Sequence, residues 1–376
     1  MQTINCLNVK YHGQLVGRVA LNETRLTAFE YDKKWLAEGF SISPFSLPLK
    51  PGLFLPKHWE PFEGTFGIFS DSLPDGWGRL LVDRTLSANH IDPEKITILQ
   101  RLAIVGQSGM GALTYGPELS LGKDNNNIFD LDILSKACWN ILNMKDADNL
   151  DSLFLLGGSS GGARPKILIE IDNEKWIIKF PSTYDHADIG EEEYRYSLCA
   201  SECGIEVPKT RLFPSKITSG YFGTRRFDIA ADSTFRRIHM ASVSALLETS
   251  HRLPNLDYVT LLKLTLALTK DYSELEKMYR LMCFNVYAHN RDDHSKNISF
   301  IYDDIGKHWK LSPAYDLTYS SSVGGEHATT VAGEGKNPTI QDILRTAKEV
   351  GLNLSKAKII AAEIQEKTRS LLVQHK

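Results

Sequence analysis

A short polar segment in the C-terminal third of the chain constrains its fold more than any other feature. Residues 289–297 read His-Asn-Arg-Asp-Asp-His-Ser-Lys-Asn and follow a stretch, 273–288, whose apolar spacing predicts a helix. A carboxylate at Asp292 and an amide five residues later at Asn297 suit phosphoryl transfer. The carboxylate accepts a hydroxyl proton, and the amide offers a neutral oxygen to magnesium. A solvated loop with capping side chains is the alternative for this segment taken alone.

A second carboxylate follows at a spacing that strengthens this interpretation. Residues 291–297 match the RDxxxxN part of a kinase catalytic loop, and Asp316 comes 19 residues after Asn297, past a predicted hairpin over 298–311. Kinases place a catalytic loop, a hairpin and a metal-binding aspartate in that order. Leu317 follows where the kinase DFG motif has phenylalanine, so Asp316 by itself is equally well a turn aspartate. Its spacing from Asn297 favours a metal ligand.

A glycine-rich segment, 157–166, precedes a predicted strand pair in the middle of the chain. It reads GGSSGGARPK, and its backbone amides are able to approach phosphate oxygens closely. It is not a Walker loop, because Ala163 and Arg164 stand where lysine and serine or threonine belong. A flexible linker is the alternative. Lys179 lies one hairpin later, where a kinase keeps its phosphate-binding lysine, although a strand lysine more commonly faces solvent.

The remaining patterns predict an α+β fold with a β-rich N-terminal part and a mostly helical C-terminal lobe. At roughly 150 residues per domain, 376 residues give two to three domains, and polar, turn-rich residues 116–127 are the linker candidate. The predicted regions are 1–120, 128–230 and 231–376. The predicted strands are 6–11, 16–21, 47–54, 111–115, 166–171, 176–180, 209–213 and 220–229; the predicted helices are 77–88, 129–144, 191–203, 258–268, 273–288, 339–349 and 355–373.

Charge and cysteine content exclude several classes of protein. The net charge of −3 argues against a uniformly basic nucleic-acid binder. The five cysteines are odd in number and scattered, without a CxxC pair, which predicts free thiols and a cytoplasmic protein. The N-terminus lacks the pattern of a signal peptide, and no apolar run is long enough to span a membrane. We therefore expect no membrane association.

Taken together, these motifs resemble the HipA family of serine/threonine kinase toxins from bacterial type II toxin-antitoxin systems. The resemblance spans nearly the whole chain. Residues 159–166 (SSGGARPK) resemble the phosphate loop of the family, and Lys179 in IKFP resembles its nucleotide lysine. The N-terminal segments FSDSLPDGWGRLL and GQSGMGALTYGP resemble its small N-terminal subdomain. The family signature NxDxHxKNxS is present as Asn290, Asp292, His294, Lys296, Asn297 and Ser299, and Asp316 stands in a PAYD context.

The resemblance implies a protein-kinase-like two-lobed fold and phosphorylation of a protein serine that depends on ATP and magnesium. Asp292 would orient and deprotonate the substrate hydroxyl, while Asn297 and Asp316 would hold magnesium. Family substrates are aminoacyl-tRNA synthetases. Autophosphorylation in the phosphate loop is implied at Ser159, with Ser160 as the alternative. The implied nucleotide-binding residues are Ser159, Ser160, Gly161, Gly162, Ala163, Lys166, Lys179, Arg225, Arg226, Phe227, Asp228, His294, Lys296, Asn297 and Asp316.

The resemblance also implies a partner, a small HipB-like helix-turn-helix antitoxin that binds operator DNA. The kinase would then join a DNA complex only indirectly. Two other functions stay open at this point. One is a catalytically silent co-repressor bound to the antitoxin, which the complete set Lys179, Asp292, Asn297 and Asp316 disfavours. The other is a small-molecule phosphotransferase with a similar fold and catalytic loop.

Overall fold

The chain folds into two compact units. The computed structural model describes residues 2–121, 130–145, 149–230, 234 and 236–372. The predicted linker lies outside them from residue 122 onwards, as do the predicted region starts at 128 and 231. The first unit comprises Met1–Gly190, Arg211–Ala241 and Ala245–Glu248, and the second comprises Glu191–Thr210, Ser242–Ser244 and Thr249–Lys376.

An antiparallel sheet of five strands forms the N-terminal part of the first unit. Alternating burial along its first strand places Leu7 and Val9 in the core. The predicted strand 47–54 is wrong except for its last two residues, because Pro48 and Pro51 interrupt it and prolines cannot donate to a ladder. The strands are β1 (Cys6–Tyr11), β2 (Gln14–Leu21), β3 (Thr27–Tyr31), β4 (Leu53–Phe54) and β5 (Leu113–Gly116), in the order β4-β3-β2-β1-β5.

The first unit also contains six α-helices in the described ranges, and the predicted helix 77–88 is confirmed. It begins one residue earlier, after the Pro74-Asp75 turn, and buries Trp77 and Leu81 on one face. A 3-10 helix, Pro93–Lys95, precedes a helix whose start is fixed by a Thr97–Gln100 capping box. The helices are α1 (Lys33–Glu38), α2 (Gly67–Ser70), α3 (Gly76–Ala88), α4 (Ile98–Val105), α5 (Leu131–Leu142) and α6 (Leu150–Gly157).

A second sheet of the first unit carries the predicted hairpin 166–180. Asp172 and Asn173 both have positive φ angles at its turn, as a two-residue hairpin of this type needs. Trp77 of α3 shares a buried core with Trp176, Ile178 and Phe180 of this sheet, so α3 and the hairpin pack as one body. The strands are β6 (Lys166–Ile171), β7 (Glu174–Lys179), β8 (Thr210–Phe213) and β9 (Tyr221–Arg225), in the order β6-β7-β9-β8.

The second unit is mostly helical, and its predicted helices are confirmed to within two residues. The helix over 272–287 packs against the helix before it, 258–269, and against the long C-terminal helix, 354–371. None of the helices in the described ranges combines the length and the apolar composition needed to cross a bilayer. Three elements, α7 (Ile189–Glu202), β10 (Met240–Ser242) and α8 (Val243–Leu247), contain residues of both units. The other elements of the second unit are β11 (Leu256–Asp257), α9 (Tyr258–Thr269), α10 (Tyr272–Tyr287), β12 (Ser299–Asp303), β13 (His308–Leu311), β14 (Thr329–Thr330), α11 (Ile340–Glu349) and α12 (Leu354–Leu371).

Candidate active site

The glycine-rich loop joins α6 to β6 in the first unit and is fixed near both ends. At its start, Ser160 donates from its backbone N–H and from its hydroxyl to the Gly157 carbonyl, at 3.0 and 2.6 Å. At its end, Arg164 makes a bidentate pair with Asp185 at 3.0 and 3.1 Å. Burial tends to raise the pKa of Asp185, but the Ser182 amide and Arg164 bring it below its ordinary value. These contacts hold the loop near both of its ends.

Two buried lysines stand side by side on the hairpin that follows the loop. Lys166 and Lys179 are directly opposite each other in the β6–β7 register and share one face of the sheet. A Cβ at Gly162 would lie 2.7 Å from the Lys166 Nζ, so this amine reaches the glycine-rich loop. The Lys179 Nζ lies 5.5 Å from the centre of the Phe222 ring. Two ammonium groups on one face of the hairpin are chemically suited to contact an anionic ligand such as a polyphosphate.

Residues 225–228, which the family resemblance implies bind nucleotide, have side chains engaged within the protein. Arg226 makes a bidentate pair with the buried Asp228, at 3.0 and 2.6 Å, and Asp228 also accepts from the Gly111 N–H at 2.8 Å. Burial tends to raise the pKa of Asp228, but Arg226, the Gly111 N–H and Arg237 together outweigh it, so that the pKa is lowered. Arg225 lies 3.6 Å from Glu174, and Phe227 is half-buried. The Arg226 and Asp228 side chains are therefore engaged with each other.

In the second unit, residues 292–297 of the predicted catalytic loop form a closed turn after α10. The Asn297 Nδ2 donates to the Asp292 carbonyl at 2.8 Å, and the Asn297 N–H donates to the His294 carbonyl at 2.9 Å. The first bond uses the amide nitrogen of Asn297, so its Oδ1 is the side-chain atom that could hold a metal ion. The Asp292 side chain is 62% exposed, and its Oδ1 lies 3.8 Å from the His294 Nε2. The Lys296 N–H donates to the His294 Nδ1 at 3.2 Å, which places the imidazole proton on Nε2.

Tyr315 ties the Asp316 segment to this loop. Its hydroxyl donates to the Lys296 carbonyl at 2.7 Å and lies 2.6 Å from the Ser299 hydroxyl. These two residues flank Asn297, so the structure places the residue before Asp316 against both sides of Asn297. Asp316 itself has a φ of +54°, a conformation that aspartate tolerates better than most residues. The predicted hairpin between the two segments is present as β12 and β13.

Sequence reasoning missed a buried network beside Asp292. Asp293 is completely buried, and its Oδ2 accepts from the Tyr258 hydroxyl at 2.9 Å and contacts the His327 Nδ1 at 2.9 Å. Its Oδ1 accepts from the Thr329 N–H at 3.2 Å. The Ala328 N–H donates to the Arg291 carbonyl at 3.0 Å. Arg291 and Asp293, on either side of Asp292, are thus held in place. In the sequence, the only sign of this network is that a second aspartate, Asp293, follows Asp292.

The cysteines are free thiols, as the sequence predicts. Cys199 lies in the last turn of α7 and Cys203 directly follows the helix; both are buried. Within the described ranges, no three histidine, cysteine, aspartate or glutamate side chains are grouped in a way that would hold a metal ion.

The chain is similar to known proteins over almost its whole length. The family model described as HipA-like C-terminal domain matches residues 158–372, and the one described as HipA N-terminal domain matches residues 7–116. A curated relative from Sinorhizobium fredii (strain NBRC 101917 / NGR234), named "Putative kinase Y4mE", is 26% identical over 393 residues, covering 94% of this chain and 87% of the relative.

Solved structures confirm the fold. A chain of the Shewanella oneidensis MR-1 complex of HipA, HipB and operator DNA superposes with a TM-score of 0.71 at 17% identity, covering 98% of this chain and 92% of that one. The predicted α+β, kinase-like fold with a β-rich N-terminal region is therefore confirmed. The C-terminal family model alone matches more than half of this chain, so the chain belongs to the HipA family.

Proposed function

We propose that this protein is a serine/threonine protein kinase that uses ATP and magnesium and acts as the toxin of a type II toxin-antitoxin system. The observation that carries the proposal is the clamp of the Tyr315 hydroxyl on Lys296 and Ser299, which joins the Asp316 segment to Asn297. Family membership and the similarity to a relative named as a kinase support it.

The residues of each unit supply separate parts of the proposed reaction. Lys166, Lys179 and the backbone amides of the glycine-rich loop bind the ATP phosphates. Asn297 and Asp316 hold magnesium, which when bound neutralises charge on the phosphates. The exposed Asp292 carboxylate accepts the proton of the substrate hydroxyl as the hydroxyl oxygen forms its bond to the γ-phosphorus and ADP leaves. The His294 Nε2 lies beside that carboxylate, 3.8 Å from the Asp292 Oδ1.

Ser159 is the proposed site of autophosphorylation, with Ser160 as the alternative. Ser159 is half-buried, whereas Ser160 is 2% exposed and its hydroxyl already donates to Gly157. The exposure of the two side chains therefore favours Ser159. A phosphoserine adds about two negative charges beside the residues proposed to bind ATP phosphates, so it should oppose nucleotide binding.

The test is intact mass spectrometry of the phosphatase-treated protein before and after incubation with Mg-ATP, with peptide mapping over residues 150–170. We expect a phosphate-sized gain in the wild type and none in Asp292→Asn. Asp172→Asn makes the same change in an exposed hairpin turn and should gain mass like the wild type. Phosphate incorporation by a folded Asp292→Asn protein would contradict the role of Asp292, and no gain in any protein would favour a silent co-repressor or a small-molecule phosphotransferase.

We further propose an aminoacyl-tRNA synthetase as substrate and a HipB-like helix-turn-helix antitoxin as partner, with operator DNA bound only through that partner. The similar Shewanella structure is a complex of this composition, which supports the partner. Labelling of a panel of purified synthetases with radioactive ATP tests the substrate. Growth arrest on expression without the antitoxin, relieved by Asp292→Asn, tests the toxin role; growth arrest by both proteins would contradict it.

A further inference from the structure

The start of α3 is hydrogen-bonded to the glycine-rich loop, although the two segments are far apart in the sequence. Gly162 of the loop comes 84 positions after Gly78 of the helix. We propose that Asp75 and Trp77, supplied by the N-terminal HipA domain, are positioning residues that latch this loop in place and shield its serines. The proposal rests on the proposed function only in its consequence for autophosphorylation. The latch itself is a property of the fold.

Both backbone groups of Gly162 are bonded to the latch. The Gly162 N–H donates to the Asp75 Oδ1, and the Gly162 carbonyl accepts from the Trp77 N–H at 2.9 Å. The Trp77 indole Nε1 also donates to the Lys166 carbonyl at 3.1 Å. The three bonds connect α3 to the loop and to the first residue of β6.

The latch replaces an ordinary helix cap. Asp75 is the N-cap residue of α3, yet its side chain makes no bond to the first turn of its own helix. The N–H groups of a first helical turn have no partner within the helix and need an outside acceptor. For Trp77 that acceptor is the Gly162 carbonyl. Release of the loop would therefore leave an N–H of α3 without this partner, so the docked loop and the start of α3 stabilise each other.

Two glycines allow the loop backbone to approach this closely. A Cβ at Gly76 would lie 2.5 Å from the Gly162 carbonyl oxygen, and a Cβ at Gly78 would overlap the Ser160 carbonyl oxygen. Both distances are shorter than any real carbon-oxygen contact. Gly78 lies inside α3, where alanine is preferred by about 1 kcal/mol, so glycine at this position serves the contact and not the helix.

The docked loop hides its serines. Ser160 is 2% exposed, and Ser159 is half-buried. In this arrangement the Ser160 hydroxyl is not presented to another active site and the Ser159 side chain is exposed only in part, whereas a protein kinase needs the hydroxyl in reach of its carboxylate. Phosphorylation of the loop therefore requires that the bonds to Asp75 and Trp77 break first. The N-terminal domain sets how often this happens.

Hydrogen exchange of the full-length protein tests the latch without requiring kinase activity. We expect amide exchange in the peptide over 158–165 to be at least tenfold faster in Asp75→Ala than in the wild type. Asp75→Asn keeps an oxygen acceptor and should restore most of the protection. Asp92→Ala removes an N-cap aspartate of the same domain that does not bond to the loop, and it should leave loop exchange unchanged.

Gly78→Ala provides a second variant, because its methyl group displaces the loop while favouring helix α3. We expect fast exchange at 158–165 with an unchanged thermal midpoint, and several-fold faster phosphate incorporation on Ser159 or Ser160 with Mg-ATP. Wild-type exchange in both Asp75→Ala and Gly78→Ala would overturn the latch. Fast exchange together with no phosphate incorporation in any protein would retain the latch and contradict the proposed kinase function instead.

Discussion

Asp293 is a buried carboxylate whose neighbour in the chain, Asp292, is exposed. Asp293→Ala removes the acceptor for the Tyr258 hydroxyl, the His327 ring and the Thr329 N–H. Each buried group left without a partner costs about 1–3 kcal/mol. We expect a clear fall in the thermal midpoint and loss of phosphorylation, measured by scanning fluorimetry and phosphate incorporation. Asp293→Asn keeps one oxygen acceptor and should be intermediate; a wild-type midpoint for Asp293→Ala would contradict this role.

The raised pKa of the Glu248 carboxyl makes the stability of the first unit depend on pH. Burial raises its pKa from 4.5 to about 7, although the Gly67 N–H and Ser46 bond to it; Asp71 raises the pKa further and Lys57 lowers it. Between these pH values the folded protein keeps the proton and the unfolded chain releases it. This group therefore favours folding most below about pH 4.5, and its contribution is lost as the pH rises to about 7.

Glu248→Gln keeps the oxygen acceptor for Gly67 and cannot ionise. We expect its thermal midpoint, relative to that of the wild type, to rise between pH 5 and pH 8 as the wild type pays to ionise the buried group. The measurement is a pair of melting curves at each pH. A constant difference between the two proteins across this range would show that Glu248 does not titrate as described.

Among the elements, the β6–β7 hairpin concentrates the groups proposed to bind phosphate. Replacement of Lys179 by methionine keeps much of the buried chain length and removes the charge. A hydrogen bond to a charged group is worth about 1.5–3 kcal/mol, so we expect nucleotide affinity to fall by roughly 10- to 100-fold. Titration with a fluorescent ATP analogue measures this change.

Lys175→Met is the matched control on the same strand, because Lys175 pairs with Glu170 near the far end of the hairpin. Its nucleotide affinity should equal that of the wild type. An equal loss of nucleotide affinity in both variants would mean that any lysine substitution in the hairpin weakens binding. It would contradict a specific role for Lys179.

At the scale of the whole molecule, the two matched family domains contact each other at a second place besides Gly162. There, buried charged side chains of one domain hydrogen-bond to the backbone of the other. Asp228 and Arg226 belong to the C-terminal family domain, while Gly109 and Gly111, to which they bond, belong to the N-terminal one. Arg237 also donates to the Gly111 carbonyl, at 2.6 Å. Burial lowers the pKa of Arg237 to about 10, which Asp228 partly offsets. Residues 226–228 and the N-terminal family domain thus belong to the same compact unit.

Asp228→Ala should therefore destabilise the protein. Removing one partner of a buried pair leaves Arg226 unpaired and costs about 3–5 kcal/mol. We expect the thermal midpoint to fall by several degrees, as measured by calorimetry. Glu174→Gln, which breaks the more exposed pair with Arg225, should change it little, because such pairs contribute about 0–1 kcal/mol. Equal midpoints for Asp228→Ala and the wild type would contradict the role of the cluster.

The local pattern of residues by itself determined much of this protein. The spacing of Asp292, Asn297 and Asp316 predicted a loop, a hairpin and a second carboxylate, and the structure has the hairpin as β12 and β13. Apolar periodicity predicted α3 and the long helices of the second unit. These features follow from the covalent chain, because side chains three or four residues apart share a helix face and alternate residues share a strand face.

Only the tertiary structure decided which distant residues meet. The sequence shows Pro74-Asp75-Gly76 as turn residues and 106–111 as a glycine cluster, and neither pattern reports that one bonds to Gly162 and the other to Asp228. Asp293 and His327 are 34 residues apart and meet only in the folded core. Such pairs depend on how whole elements pack, and the packing free energy is spread over many contacts that no short segment of sequence contains.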